Sequence, residues 1–171
     1  SSIQVETFAV GSFQCNCSLI YCEKTREAIA IDPGNDAKTF LQVLAEKKLK
    51  LVMMLHTHAH FDHIGQSDYI RQNLGGVPIY LHKDDLMLYN ALPQQGMFFG
   101  EHIAKPAPVD HYIEDDQRFS LKVFDPQVQS SELKQMIKTI YTPGHTAGSC
   151  SFLMEVDGKE PILFSGDTLF H

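Results

Sequence analysis

Apolar and polar positions along this chain change period several times, and each change marks an element. Ile3–Val10 and Phe13–Cys22 read as two strands joined at Gly11-Ser12 in a hairpin-like opening. Glu27–Asp32 is a third strand, closed by Pro33-Gly34. Between Asn35 and Lys47 the apolar residues Ala37, Phe40, Leu41, Leu44 and Ala45 recur at spacings of three and four, which predicts a helix capped by Asn35 or Asp36. Leu51–Leu55 is a buried strand in which Met53 and Met54 are core. A helix is expected through Ile64–Asn73, stopped by Gly75-Gly76, then a short strand at Val77–Leu81 and a helix over Asp84–Leu92.

Pro93 to Asp116 is rich in Pro, Gly and His and lacks a clean period, so it reads as a long connection. Phe119–Phe124, Met136–Tyr141, Ser149–Val156 and Pro161–Phe164 supply a second set of strands, with Asp157-Gly158 as a hairpin turn. Two strand-rich halves flanked by helices predict an α/β protein, a four-layer αββα sandwich with its sheets packed face to face.

Composition narrows the function classes. At 171 residues the chain is one domain, 1–171, able to bury roughly two-thirds or more of its unfolded surface. A net charge of −7 argues against a nucleic-acid partner, which would call for clustered Lys and Arg. The one basic run, Lys47 to Lys50, suits the solvated end of a helix. No stretch reaches the roughly 18 apolar residues a membrane span needs, and no signal pattern opens the chain, so a cytoplasmic location without membrane contact is expected. Cys15, Cys17, Cys22 and Cys150 form no C-x-x-C pair and are expected as buried, reduced thiols rather than a zinc site.

The candidate chemistry begins where the apolar run Leu51–Leu55 breaks into His58, His60, Asp62 and His63. Imidazole and carboxylate donors suit zinc and similar divalent ions, whereas calcium would want oxygen throughout. A helical zinc protease would carry H-E-x-x-H; here His58 and His60 are two apart and point the same way from an extended loop. Tyr141-Thr-Pro-Gly-His145 and Ile162-Leu-Phe-Ser-Gly-Asp167 each add one more ligand-type residue after a strand. Loops held at strand ends on a rigid sheet are where such sites are built. The pattern reads as a hydrolytic metal site.

With these segments the chain resembles the metallo-β-lactamase superfamily, and within it the glyoxalase II-like hydrolases. Thr57-His58-Ala-His60-Phe-Asp62-His63 matches T-H-x-H-x-D-H, Thr142-Pro-Gly-His145-Thr matches the second ligand segment and Ser165-Gly-Asp167-Thr168 the third. The stretches from His82 to Asp85 and from Gln94 to Gly100 look like the small bacterial glyoxalase II-like proteins. The resemblance implies the αββα fold of that superfamily, with His58, His60 and His145 on a first metal. It puts Asp62 and His63 on a second metal and Asp167 as the bridge. The family's further histidine lies some tens of residues beyond the third segment, whereas this chain stops at His171, so the domain is expected to be C-terminally incomplete.

The implied activity is hydrolysis of a small-molecule thioester of the S-hydroxyacylglutathione class by hydroxide held on zinc, one ion or two, with iron or manganese as alternatives. The catalytic set is then Asp62, His58, His60, His145 and Asp167, with Asp62 holding or orienting the nucleophile's proton. Glutathione is the candidate thiol, and the oligomeric state is left open. Two other readings stand beside it. One is a mononuclear iron persulfide dioxygenase using His58, His145 and Asp167; the other is a non-catalytic fragment or accessory domain of the same fold. Thr57 and Thr168 either buttress ligands or make plain strand-end hydrogen bonds. Asp32 reads first as an ordinary turn aspartate, with orientation of a ligand histidine as the alternative. His56 is expected to pack or to contact a ligand rather than to ligate. His82, His102 and His111 are expected on the surface or lining a pocket, and His171 is not assigned a metal.

Overall fold

The computed structural model describes residues 3–125, 130–132, 136–156, 158–166 and 169–170. Asp157 of the predicted turn, Asp167, Thr168 and His171 lie outside the described residues.

Strands β1 (Ile3–Val10), β2 (Cys15–Cys22) and β3 (Glu27–Ile31) open the chain, followed by α1 (Ala37–Lys47) and β4 (Lys50–Leu55). Helices α2 (Phe61–Ile64) and α3 (Ser67–Asn73) lead to β5 (Ile79–His82), a 3-10 turn over Lys83–Asp85, α4 (Leu86–Asn90), α5 (Leu92–Phe98) and β6 (His111–Ile113). Then come β7 (Arg118–Phe119), β8 (Lys122–Asp125), β9 (Ser130–Glu132), β10 (Ile137–Tyr141), β11 (Cys150–Met154), β12 (Ile162–Phe164) and β13 (Leu169–Phe170).

Among the described residues, β1 to β6 lie in sequence order in a six-stranded sheet, and β13-β12-β11-β10-β7 form a five-stranded one. The first sheet is antiparallel through β3 and parallel from β3 to β6. Ile20, Ile29, Ile31 and Leu55 from its inner face meet Ile137, Phe152, Met154 and Phe164 of the second sheet in one buried cluster. On the other face of the first sheet, Leu19, Ala28, Ala30 and Met54 pack against Phe40 and Leu44 of α1 and Ile70 of α3. This is the α/β sandwich of face-to-face sheets that the alternating and continuous apolar runs predict.

Helix α1 starts as expected. The Asp36 side chain accepts from Thr39 N at 3.2 Å, and the apolar stripe is buried at Ala37, Phe40 and Leu44. Elsewhere the boundaries move. The helix expected over Ile64–Asn73 is two helices, broken at Gly65-Gln66. Gly65 sits so close to its neighbours that a Cβ would fall 2.5 Å from Phe61 O and 2.6 Å from Asn35 Oδ1. The expected connection from Pro93 to Asp116 holds most of α5 and all of β6. Pro93 stands in the first turn of α5, where its missing N–H costs nothing, so it begins a helix instead of ending one.

Strands β3, β4 and β5 are parallel, so their C-terminal ends open on the same edge of the sandwich. The residues that follow them are Asp32, the His56–His63 loop and the Lys83–Asp85 turn. Ligand sites in parallel sheets collect at this edge.

Candidate metal centre

The loop after β4 meets the loop between β10 and β11 through the backbone, with Cys150 N donating to Thr57 O at 2.8 Å. That contact brings His145 to His58 and His60. The ring centroids lie 4.8 Å apart for His58–His60, 4.8 Å for His58–His145 and 4.9 Å for His60–His145, each pair edge to face. One nitrogen from each ring falls within 4.8 Å of the others. Nothing in the local sequence brings residue 145 to residue 58; the pairing of two sheets does.

The bracing of His58 decides its tautomer. Thr57 Oγ1 donates to Asp32 Oδ2 at 2.6 Å, and Thr57 N donates to Asp32 Oδ1 at 2.8 Å. With its proton committed, the hydroxyl can only accept from His58 Nδ1, 2.9 Å away. His58 Nε2 is then a bare lone pair, buried and without a hydrogen-bond partner. Burial pushes this ring's pKa down to about 4, with the neighbouring histidines adding to the effect and Asp32 opposing it. His60 is lowered by burial and then by His145. Three imidazoles with nitrogens gathered within 4.8 Å of one another, two of them with lowered pKa and one carrying an orphaned buried acceptor, fit a divalent cation.

His63 stands beside this group, its ring centroid 4.2 Å from that of His58. Its Nδ1 lies 2.9 Å from Asp32 Oδ2 and 3.3 Å from Cys15 Sγ, and its Nε2 lies 3.5 Å from Asp62 Oδ2. Burial alone would lower its pKa, but the hydrogen bond and charge of Asp32, with Cys15 adding, carry it up to about 12. Asp32, His58 and His63 also bring donor atoms within 4.8 Å of one another. Asp32 is nevertheless engaged by Thr57 N, Thr57 Oγ1 and His63 Nδ1, so it serves to orient the rings rather than to take an ion. Asp32 is thus no ordinary turn aspartate, and Thr57 does more than close a strand end.

The remaining histidines do other things. His56 is fully buried, with Nδ1 donating to Tyr80 O at 2.8 Å and Nε2 accepting from Ser67 Oγ at 2.7 Å. His82 stacks on Tyr141 at 4.3 Å and accepts from Asp84 N. His102 lines a cleft away from the three-histidine cluster, and His111 is exposed against Tyr80. All four cysteines are buried and reduced. Asp167 is outside the described residues, so its distance to the histidines is not part of this geometry.

Two supports went unread in the sequence. Gln95 of α5 accepts from Phe61 N at 2.9 Å and donates to Ala59 O at 3.0 Å, holding the loop on both sides of His60. Asp85 accepts from Ala59 N at 2.9 Å. Both fall in the stretches that resemble the small glyoxalase II-like proteins, but neither local spacing nor that resemblance reveals a side chain that turns back to the histidine loop. A cavity of about 360 Å³ opens beside His58 and His145, lined also by Thr57, Thr142, Ser149, Cys150, Ser151 and Ser165, and so rich in hydroxyls. Among the described residues no helix is long and apolar enough to cross a membrane.

Known proteins share this arrangement of sequence and fold. A profile of the metallo-beta-lactamase superfamily matches residues 10–171. The chain is 30% identical over 169 residues to the hydroxyacylglutathione hydrolase GloC of Haemophilus influenzae, covering 98% of this chain and 73% of that one. It is 34% identical over 164 residues to the probable metallo-hydrolase YqgX of Bacillus subtilis, covering 94% and 69%. Among solved structures, the BLEG-1 B3 metallo-beta-lactamase superposes with a TM-score of 0.71 at 28% identity, over 88% of this chain and 67% of its own. TTHA1623 in a di-iron-bound form gives 0.70 at 27% identity, over 86% and 65%.

Proposed function

This chain belongs to the metallo-beta-lactamase superfamily, and on that premise we propose that it is a metal-dependent hydrolase cleaving a thioester of the S-hydroxyacylglutathione class. The observation that carries the reading is the convergence of His58, His60 and His145, with His58 Nε2 buried and unpartnered. In this reading these three rings hold the first ion. By the family resemblance Asp62 and His63 would hold a second, with Asp167 as a further ligand. Zinc is the proposed metal; iron or manganese would suit the same donors.

A divalent ion there supplies Lewis acidity for a carbonyl and a water that is nucleophilic at neutral pH. The chain's own groups do the rest. Thr57 and Asp32 keep the His58 proton on Nδ1, so that Nε2 stays available. Asp32 holds His63 by the same nitrogen, turning Nε2 towards Asp62. Asp62, half-buried, would hold or orient a proton of the attacking water. A thiolate is a weak base and leaves without a strong general acid, which suits a cavity lined by hydroxyls.

The test is thiol release from S-D-lactoylglutathione by chain reconstituted separately with zinc, iron and manganese. Turnover that is lost in His58→Ala and His145→Ala supports the reading. Metal-loaded chain that leaves this thioester and its acyl variants intact overturns the substrate class. Dioxygen uptake with glutathione persulfide by the iron form would replace hydrolysis with oxidation.

A further inference from the structure

Asp85 lies at the end of the 3-10 turn that follows β5 and is only 1% exposed. Its Oδ2 accepts from Ala59 N at 2.9 Å and from Thr146 Oγ1 at 2.8 Å, and its Oδ1 accepts from Gly148 N at 2.7 Å. Ala59 separates His58 from His60, and Thr146 directly follows His145. A single carboxylate therefore ties the loop of the first sheet that carries two of the histidines to the loop of the second sheet that carries the third.

The fit is close on the second loop. A Cβ on Gly148 would stand 2.7 Å from Asp85 N and 2.8 Å from Asp85 Oδ1, so glycine is what lets that loop descend onto the carboxylate. The same turn grips the second loop's root again, where His82 stacks on Tyr141 and Tyr141 Oη donates to Asp84 Oδ2 at 3.0 Å. All three donors to Asp85 are uncharged, and they come from the two loops that carry the histidines.

Resting on the reading that His58, His60 and His145 hold an ion, we propose that Asp85 is the positioning residue of that cage. It sets the separation between the His58–His60 pair and His145, acting through Ala59, Thr146 and Gly148, and touches neither ion nor substrate. Asparagine has the same shape, but its amide nitrogen would face a donor, which pushes one loop off. Loss of a hydrogen-bonded support around metal ligands typically weakens metal binding about 10–100-fold.

The experiment is a zinc competition titration of this chain against a chromophoric chelator, paired with the d–d absorption of the cobalt-substituted form, which reports ligand geometry. Asp85→Asn is expected to weaken zinc at least about 10-fold and to alter the cobalt spectrum. Thr146→Val should do the same more mildly, and Thr146→Ser should match the parent. A purely structural role would lower the unfolding midpoint while leaving the affinity and spectrum of the folded fraction unchanged, and that result overturns the proposal. If Asp85→Asn does not fold, Thr146→Val decides by the same criterion. A parent chain that binds no zinc overturns the proposed function and this inference together; a parent that binds, with variants equal to it, overturns this inference alone.

Discussion

The hydroxyl of Thr57 stands 2.9 Å from His58 Nδ1 and can only accept there, because its own proton goes to Asp32 at 2.6 Å. One hydroxyl thereby fixes which nitrogen of His58 is left bare. Thr57→Val keeps the shape and removes the acceptor. It is expected to weaken the first ion about 10–100-fold, while Thr57→Ser stays within a few-fold of the parent. Competition titration with zinc measures both, and equal affinities for valine and threonine would refute tautomer control.

Asp32 carries a heavier load. Three donors, Thr57 N, Thr57 Oγ1 and His63 Nδ1, converge on a carboxylate that is 1% exposed. In Asp32→Asn the amide nitrogen must face at least one of them, and His63 loses its counter-charge. Removing one partner of such a buried pair costs about 3–5 kcal/mol, so urea unfolding of metal-free protein should show a loss of that size. A loss below about 1 kcal/mol would mean that the network is dispensable.

Acid should weaken the metal-free chain through His56. Burial pushes this ring from 6.5 down to about 4 in the folded state, with its nitrogens already engaged by Tyr80 O and Ser67. Between those values the unfolded chain binds a proton that the folded chain refuses, so stability falls as pH drops from 6.5 towards 4. His63 works on the other flank. Its raised pKa contributes stability that is full below 6.5 and lost as pH climbs towards about 12. In His56→Gln the unfolding free energy should depend less steeply on pH between 6.5 and 4. An unchanged slope would show that His56 is not a source of the acid lability.

Stripping the ion should leave the sandwich folded, because continuous apolar clusters between the sheets and under α1 hold it together. Far-ultraviolet circular dichroism should be retained after chelation, and zinc at about a thousand times its Kd should restore about 4 kcal/mol of stability. Collapse of the fold on chelation would mean that the metal is part of the core.

What could be read early was what local pattern encodes. The α1 stripe of Ala37, Phe40 and Leu44 and the cap at Asp36 appear in the structure where the spacing placed them. The strands that flank the site end within a residue or two of expectation. Breaks were harder. The helix breaks at Gln66, whose backbone leaves the helical region, and Gly65 before it is crowded by Phe61 and by Asn35, thirty residues earlier in the chain. Pro93 opens a helix because it sits in the first turn, which composition cannot distinguish from a stop.

The donor chemistry and its local spacing are written in the amino-acid order. His58 and His60 share one loop, His145 sits on a Pro-Gly turn, and each follows an apolar strand that delivers it to an edge. That much is short-range, governed by side-chain period and turn residues. Which atoms face one another follows from the packing of the two sheets. Asp32 meets Thr57 across two parallel strands, Cys150 N meets Thr57 O between two sheets, and Asp85 meets Thr146 from sixty-one residues away. Those contacts exist because burying both sheets' apolar faces brings the strand ends together, and no local rule of spacing encodes that outcome.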